Sequence, residues 1–160
     1  MNKNLVISLD VGTTETAFTV VDENYVPLDK GKIDNYDLLD VIYKYKDSCD
    51  TLVYEEFASY GMPIGKSTME SIKWNGRFIQ HAIHSGYKNI FPILRKDVKI
   101  NLCGSMKAKD GNIRQALIDR FGEVGVKNNQ GWFYGFKSDL WSAYGLAVTH
   151  LDKQKEIENE

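Results

Sequence analysis

Apolar and polar positions along this chain follow a strand-like rhythm first and a helical one later. Leu5 to Asp22, LVISLDVGTTETAFTVVD, reads as two β-branched apolar strands joined by a tight turn at Gly12, Thr13 and Thr14. A third strand is expected from Tyr25 to Ile33, interrupted by Asp29, Lys30 and Gly31, so the chain opens as an antiparallel meander. From Asp37 the period changes, because Leu38, Val41, Ile42 and Tyr45 share one helical face. Thr51 to Glu55 then reads as a short buried strand. A turn-rich loop, Ser59 to Pro63, leads into a long helix from Lys66 to His84. Its Met69, Ile72, Gly76, Ile79 and Ile83 form an apolar stripe, and Gly76 is expected to let the helix approach the sheet closely. Asn89 to Leu94 is a fifth strand, in which Pro92 favours a sheet edge.

Beyond Arg95 the helical rhythm returns as far as Gly104, and again from Asp110 to Phe121, with Gly122 as a C-terminal cap. Gly122 to Gly135 is rich in glycine and asparagine and is expected to be mobile. Ser138 is suited to N-cap a last helix, Asp139 to Leu151, whose Leu140, Ala143, Tyr144, Ala147 and Leu151 face inward. Residues 153–160 form a charged tail expected to fray. A meander followed by strands alternating with helices predicts an α/β layer fold: a mixed sheet covered by helices, as one domain over residues 1–152.

Composition narrows the function only a little. With 160 residues and a formal net charge of −2, the molecule has no overall field to attract nucleic acid, so any such attraction is local. Cys49 and Cys103 lack metal-ligand or redox spacing and read as free thiols of a reducing compartment. Neither a signal peptide nor an apolar run of about 20 residues is seen, and a cytoplasmic location is expected.

The informative chemistry lies in three acids. Asp10 ends the first apolar strand, Glu55 ends another, and Asp139 opens the last helix. Hard divalent cations take oxygen ligands, commonly a few carboxylates plus substrate phosphate oxygens. Two such ions about 4 Å apart can activate a water and stabilise the leaving oxygen in phosphodiester cleavage. Each acid also has a plain structural reading: Asp10 as a turn-former, Asp139 as an acid favoured by the helix dipole. Glu56 is the rival of Glu55, and only one of the two can point to a given face of the strand. Asp110 reads either as a fourth ligand or as an N-cap.

Basic residues gather between Lys88 and Arg120, including Arg95, Lys107, Lys109 and Arg114, either as a solvated face or as partners for phosphates. Lys66, opening the long helix, is a further candidate for DNA contact. Tyr60, in the loop after Glu55, could stack on an unpaired base or be an ordinary exposed aromatic. His81 and His84 have no acid or thiol at zinc spacing.

The segments YEEFASYGMPIGKS (54–67), WNGRFIQ (74–80), RKDVKINLCGSMKAKDGNIRQALIDRFG (95–122) and KSDLWSAYGLAVTH (137–150), with the opening SLDVGTTETAF, resemble the phage branch of the RuvC-type Holliday junction resolvases. The resemblance implies a ribonuclease H-like fold with a five-stranded mixed sheet. It also implies a homodimer that uses Mg²⁺ or Mn²⁺, two ions per active site, to cut four-way or other branched DNA. The products would carry a 5′-phosphate and a 3′-hydroxyl. Asp10, Glu55 and Asp139 match the family's acidic positions, whereas Ser142 stands where bacterial resolvases carry another acid. Asp110 or a water is the candidate replacement. Lys107 and Lys109 fall where the family places basic residues near the scissile phosphate.

Two other readings remain at this level. A non-catalytic branched-DNA-binding module of the same fold would explain Ser142. LDVGTTETAFTVVD also resembles the first phosphate-binding turn of actin-like ATPases, although those proteins close two related domains on a nucleotide. The apolar stripe of the 66–84 helix reads either as ordinary core or as a dimer surface.

Overall fold

β-Branched and aromatic residues build the central sheet, and their alternation decides what each face carries. The computed structural model describes residues 3–160, so the first two residues of the expected domain lie outside it. Strands β1 (Leu5–Asp10), β2 (Glu15–Val21) and β3 (Pro27–Asp34) form the antiparallel meander, and helix α1 (Asn35–Lys44) follows. Strand β4 (Cys49–Glu56) returns parallel to β1, helix α2 (Lys66–Ser85) crosses over, and β5 (Asn89–Leu94) lies parallel to β4. The order β3-β2-β1-β4-β5 makes a five-stranded mixed sheet with β5 at an edge, where Pro92 costs no ladder partner. Helices α3 (Arg95–Cys103), α4 (Asp110–Phe121) and α5 (Leu140–Glu158) complete the fold, with a two-residue-per-strand hairpin, β6 (Gly125–Val126) and β7 (Asn129–Gln130), before α5.

Period two in the strands splits the core in two. Val6, Val53 and Ile93 face α5 and pack with Leu140, Ala143, Tyr144 and Ala147. Ile7, Leu9, Val20 and Leu52 face the other way, onto Leu38 and Ile42 of α1 and Trp74, Phe78 and Ala82 of α2. Ser8 and Thr19 are buried polar residues on the α5 face, and they pair with each other. The α5 backbone is the other partner of Ser8. Its hydroxyl donates to the Ala143 carbonyl over 2.7 Å, so the hydrogen it shares with the Thr19 hydroxyl comes from Thr19. This fixes α5 over β1 two residues from Asp10.

Several elements differ from the pattern reading. On α2 the buried residues are Ser71, Trp74, Asn75, Phe78 and Ala82, while Met69, Ile72 and Ile83 are 52%, 40% and 47% exposed. The aromatic face outcompetes the aliphatic stripe because it buries more area. A Cβ at Gly76 would meet nothing within 4 Å, so that glycine serves no close approach to the sheet. The Gly122–Gly135 stretch is not a loose loop. Phe133 is fully buried, with its ring 4.7 Å from Trp141 and 5.4 Å from Tyr144, and it pins the segment beneath α5.

At the start of α5, Asp139 occupies the N-cap position in place of Ser138, whose φ is +50°. At its end the helix passes Leu151 and runs to Glu158. Residues 152–158 contain no helix breaker, and Asp152 is held by Arg120, Asn101 and Tyr25. Cys49 and Cys103 are free thiols. Among the described residues, no helix is long and apolar enough to cross a membrane.

Candidate metal centre

Parallel pairing of β1 with β4 places Leu9 opposite Tyr54, and therefore Asp10 beside Glu55, at the same end of the sheet. Alternation from Ser8 and Val53 turns both carboxylates toward α5 and sends the exposed Glu56 to the other side. Asp139, at the N-cap of α5, completes the approach from above. The turn after Asp10 is built to hold this edge. A Cβ at Gly12 would stand 2.3 Å from the Glu15 carbonyl oxygen, so only glycine fits. Asn35, almost fully buried, accepts from Thr16 at 2.6 Å and donates to the Gly12 carbonyl at 3.1 Å. Asn75 on α2 donates to the Glu55 carbonyl at 3.4 Å.

Electrostatics tie the three acids together. Burial, followed by the charges of Glu55 and Asp139, pushes the Asp10 carboxyl from 3.8 up to about 7, against weaker opposing effects of Arg95 and Lys32. Burial also raises Glu55, and the Arg95 guanidinium partly offsets it. Glu55 and Asp139 each face a cation of the chain. Arg95 stands 3.7 Å from Glu55 and also contacts Asp110, while Lys32 donates to Asp139 at 2.8 Å. With those side chains so engaged, no three His, Cys, Asp or Glu residues among the described ones are grouped to hold one ion.

The donor chemistry nonetheless suits a hard divalent cation. All the candidate ligands are carboxylate oxygens, and the innermost, Asp10, makes no salt bridge among the described residues. An ion there would replace the proton that the crowding of negative charge favours on Asp10. Release of Glu55 from Arg95 and of Asp139 from Lys32 would complete its ligand set.

The acids open onto two connected hollows. One, of about 320 Å³, is lined by Asp10, Gly12, Thr13, Glu15, Lys32 and Asp139. The other, a groove of about 480 Å³, runs from Asp139 and Ser142 to Asp110 and Arg114. Ser142 also borders a small recess with Glu55 and Arg95. Asp110 is not an N-cap. Lys109 holds that position, and Asp110 spends its charge on Arg95.

Of the predicted DNA contacts, Arg114 lines the groove, its guanidinium 5.1 Å from the centre of the Trp141 ring. Lys107 and Lys109 are exposed in the turn before α4. Tyr60 is 70% exposed, has φ +51° and carries the Lys96 ammonium 6.0 Å above its ring. Lys66, exposed at the first position of α2, is not among the groove's lining residues.

Around the acids, Lys32, Asn35 and Asn75 are residues that the sequence pattern did not single out, and Arg95 was named there only as one of a basic cluster. Its place beside Glu55 was findable, since it directly follows β5, whose Leu94 pairs with Glu56. Lys32 and the two asparagines carried no periodic or motif signal.

Comparison with solved structures places the architecture. RuvC of Thermus thermophilus superposes with a TM-score of 0.69 at 16% identity, covering 95% of this chain and 96% of that one. The same protein in complex with a Holliday junction substrate gives 0.71 at 16% identity, covering 95% of each chain. The fold is ribonuclease H-like, of the RuvC form. The yeast mitochondrial Holliday junction resolvase Ydc2 shares it with a TM-score of 0.61 at 11% identity, over 99% of this chain and 82% of that one. No protein-family model matches the chain, and no curated protein sequence matches it. At such identities the RuvC-like likeness establishes the fold, and the chemistry has to be argued from this chain's own residues.

Proposed function

We propose that this protein is a metal-dependent, structure-selective DNA endonuclease of the RuvC type, with the phage branch as the source its sequence segments resemble. The observation that supports the reading is that Asp10 and Glu55 end adjacent parallel strands, with the charges of Glu55 and Asp139 both near enough to raise the Asp10 carboxyl. These carboxylates would hold Mg²⁺ or Mn²⁺, two ions per site, with Asp110 as the candidate fourth ligand beside Ser142. Bound there, the ions would supply charge stabilisation and an activated water for phosphodiester hydrolysis, leaving a 5′-phosphate and a 3′-hydroxyl.

The chain's own residues do the rest. The Gly12 turn, buttressed by Asn35, shapes the strand end that carries Asp10 and so helps to position its carboxylate. Arg114, Lys107 and Lys109 neutralise phosphates along the groove, and Lys66 extends that basic side from the start of α2. Tyr60 supplies a stacking face for an unpaired base. Recognition of backbone and shape needs no base-reading helix, which suits branched DNA.

A homodimer fits the same reading. The α2 residues Met69, Ile72, Gly76, Ile79 and Ile83, of which Ile79 alone is half-buried and the rest exposed, follow alternating steps of three and four, the spacing of a coiled-coil seam. A second copy meeting that stripe about a two-fold axis would present two sites to a symmetric four-way junction. The expected compartment is the cytoplasm, that of the host if the chain is phage-encoded.

A second reading, a junction binder without catalysis, is favoured by two observations: Ser142 in place of an acid, and carboxylates engaged by Arg95 and Lys32. Incubating the protein with end-labelled four-way junctions, with and without Mg²⁺ or Mn²⁺, separates the two. The endonuclease reading expects metal-dependent cuts near the branch point. Binding with no cuts in either metal would leave the binding module.

A further inference from the structure

Of the predicted DNA contacts, Arg114, Lys107 and Lys109 lie on α4 and in the turn before it. A further pocket, of about 370 Å³, is lined by Lys30, Gly31, Lys32, Gly135, Lys137, Ser138 and Leu140, and it adjoins the Arg114 groove, which Lys137 and Ser138 also line. It gathers three ammonium groups from two segments more than a hundred residues apart. Lys30 and Lys32 are two apart on β3, so both side chains project from its α5 face. Lys137 comes from the segment that leads into α5.

The pocket is continuous with the acidic hollow, since Lys32 lines both and donates to Asp139. Lys30 is half-buried and held in place. Its ammonium lies 5.3 Å from the centre of the Phe136 ring, and its Cε is where a Cβ on Gly135 would come to 3.4 Å. Gly135, at φ +84°, keeps that side of the pocket open. Among the described residues, neither Lys30 nor Lys137 makes a salt bridge.

Lysines on an edge strand can serve simply to prevent strand pairing. That role needs no third lysine from another segment and no concave floor. Uncompensated ammonium groups around a hollow with an apolar floor (Leu140 and two glycines) match a sugar-phosphate backbone instead.

We infer that Lys30, Lys32 and Lys137 form a second phosphate-binding site, which holds the DNA strand where it leaves the Arg114 groove on the β3 side of Asp139. This rests on the endonuclease reading and extends it. The acids form a negative centre that a polyanion must cross, and cations along the path hold the strand over it. In the metal-free protein Lys32 is turned to Asp139, and a cation bound by that carboxylate would free the ammonium for the same strand.

The test is equilibrium binding of a fluorescent four-way junction in EDTA across a series of salt concentrations. It compares the wild type, the double variant K30Q/K137Q and the control K44Q/K46Q, whose lysines lie near the end of α1 at the opposite pole of the sheet. The site predicts that K30Q/K137Q binds about tenfold more weakly at low salt. Its slope of log affinity against log salt becomes shallower by roughly 1 to 2, the value for one or two lost phosphate contacts. The control keeps wild-type affinity and slope. Unchanged affinity and slope in K30Q/K137Q, or an equal loss in the control, overturns the site while leaving the endonuclease reading intact. A wild type that binds no junction at any salt concentration overturns both. Unchanged circular dichroism of the double variant assigns the loss to contact rather than unfolding.

Discussion

Lys32 and Asp139, 107 positions apart in the chain, meet at 2.8 Å and tie the edge strand β3 to the first turn of α5. Both side chains are more than a third exposed, so the pair adds little to stability. Its consequence is for binding, because a cation of the chain occupies a carboxylate proposed to hold a divalent ion. Lys32→Ala is expected to lower unfolding stability in urea by less than about 1 kcal/mol. The same variant, titrated with Mn²⁺ in the absence of DNA, is expected to bind the ion more tightly than wild type. Equal or weaker Mn²⁺ binding would separate Lys32 from the metal centre.

Asp10 contributes a pH dependence to the stability of the metal-free protein. Its carboxyl is raised from 3.8 to about 7, chiefly by burial. Between those values the folded state keeps the proton and the unfolded state has lost it. This contribution to stability is therefore complete below the unfolded value and is lost as pH rises through about 7. The cost of ionised Asp10 at higher pH is on the order of 4 kcal/mol. Asp10→Asn, which cannot ionise, is expected to be more stable than wild type in EDTA at about pH 8. The advantage should shrink toward about pH 4. Urea denaturation at several pH values measures it, and a difference independent of pH would contradict the assignment.

Arg95 is a counter-charge within the same cluster, lowering both Asp10 and Glu55 toward ionisation. Arg95→Ala is expected to shift the Asp10 carboxyl titration to higher pH, as read by carbon NMR of the labelled side chain. A downward shift or none would mean that Arg95 and Asp10 do not share one electrostatic environment.

Farther from the acids, Tyr144 holds α5 on the sheet. Its buried hydroxyl donates to the Tyr25 carbonyl at 2.6 Å and accepts from the Trp132 indole at 3.1 Å. Tyr144→Phe leaves both partners unpaired and is expected to cost about 1 to 3 kcal/mol in urea unfolding. Junction affinity at a temperature well below the transition should be unchanged.

The strands and the sheet order's parallel pair were legible because the strand runs are long, apolar and bounded by turn residues. Asp10 and Glu55 were legible for the same reason, as the charged ends of those runs. The face of α2 was not. Met69, Ile72, Gly76, Ile79 and Ile83 have perfect helical spacing, yet Trp74, Phe78 and Ala82 also share a face, and periodicity cannot rank two competing stripes. Phe133 was hidden by glycine-rich surroundings, since a single aromatic in a turn-like segment has no period to report. The ion pairs of Lys32 and Arg95 were beyond the pattern for another reason. Their roles come from tertiary pairing with Asp139 and Glu55, which no local spacing encodes.

The central claim is that Asp10 belongs to a divalent-cation site that cuts branched DNA, and Asp10→Asn tests it most directly. The measurement is cleavage of a labelled four-way junction in Mg²⁺, with binding of the same junction followed in parallel. Bound junction left uncut by the variant, together with cutting by the wild type, is the predicted result. Normal nicking by Asp10→Asn would contradict the account.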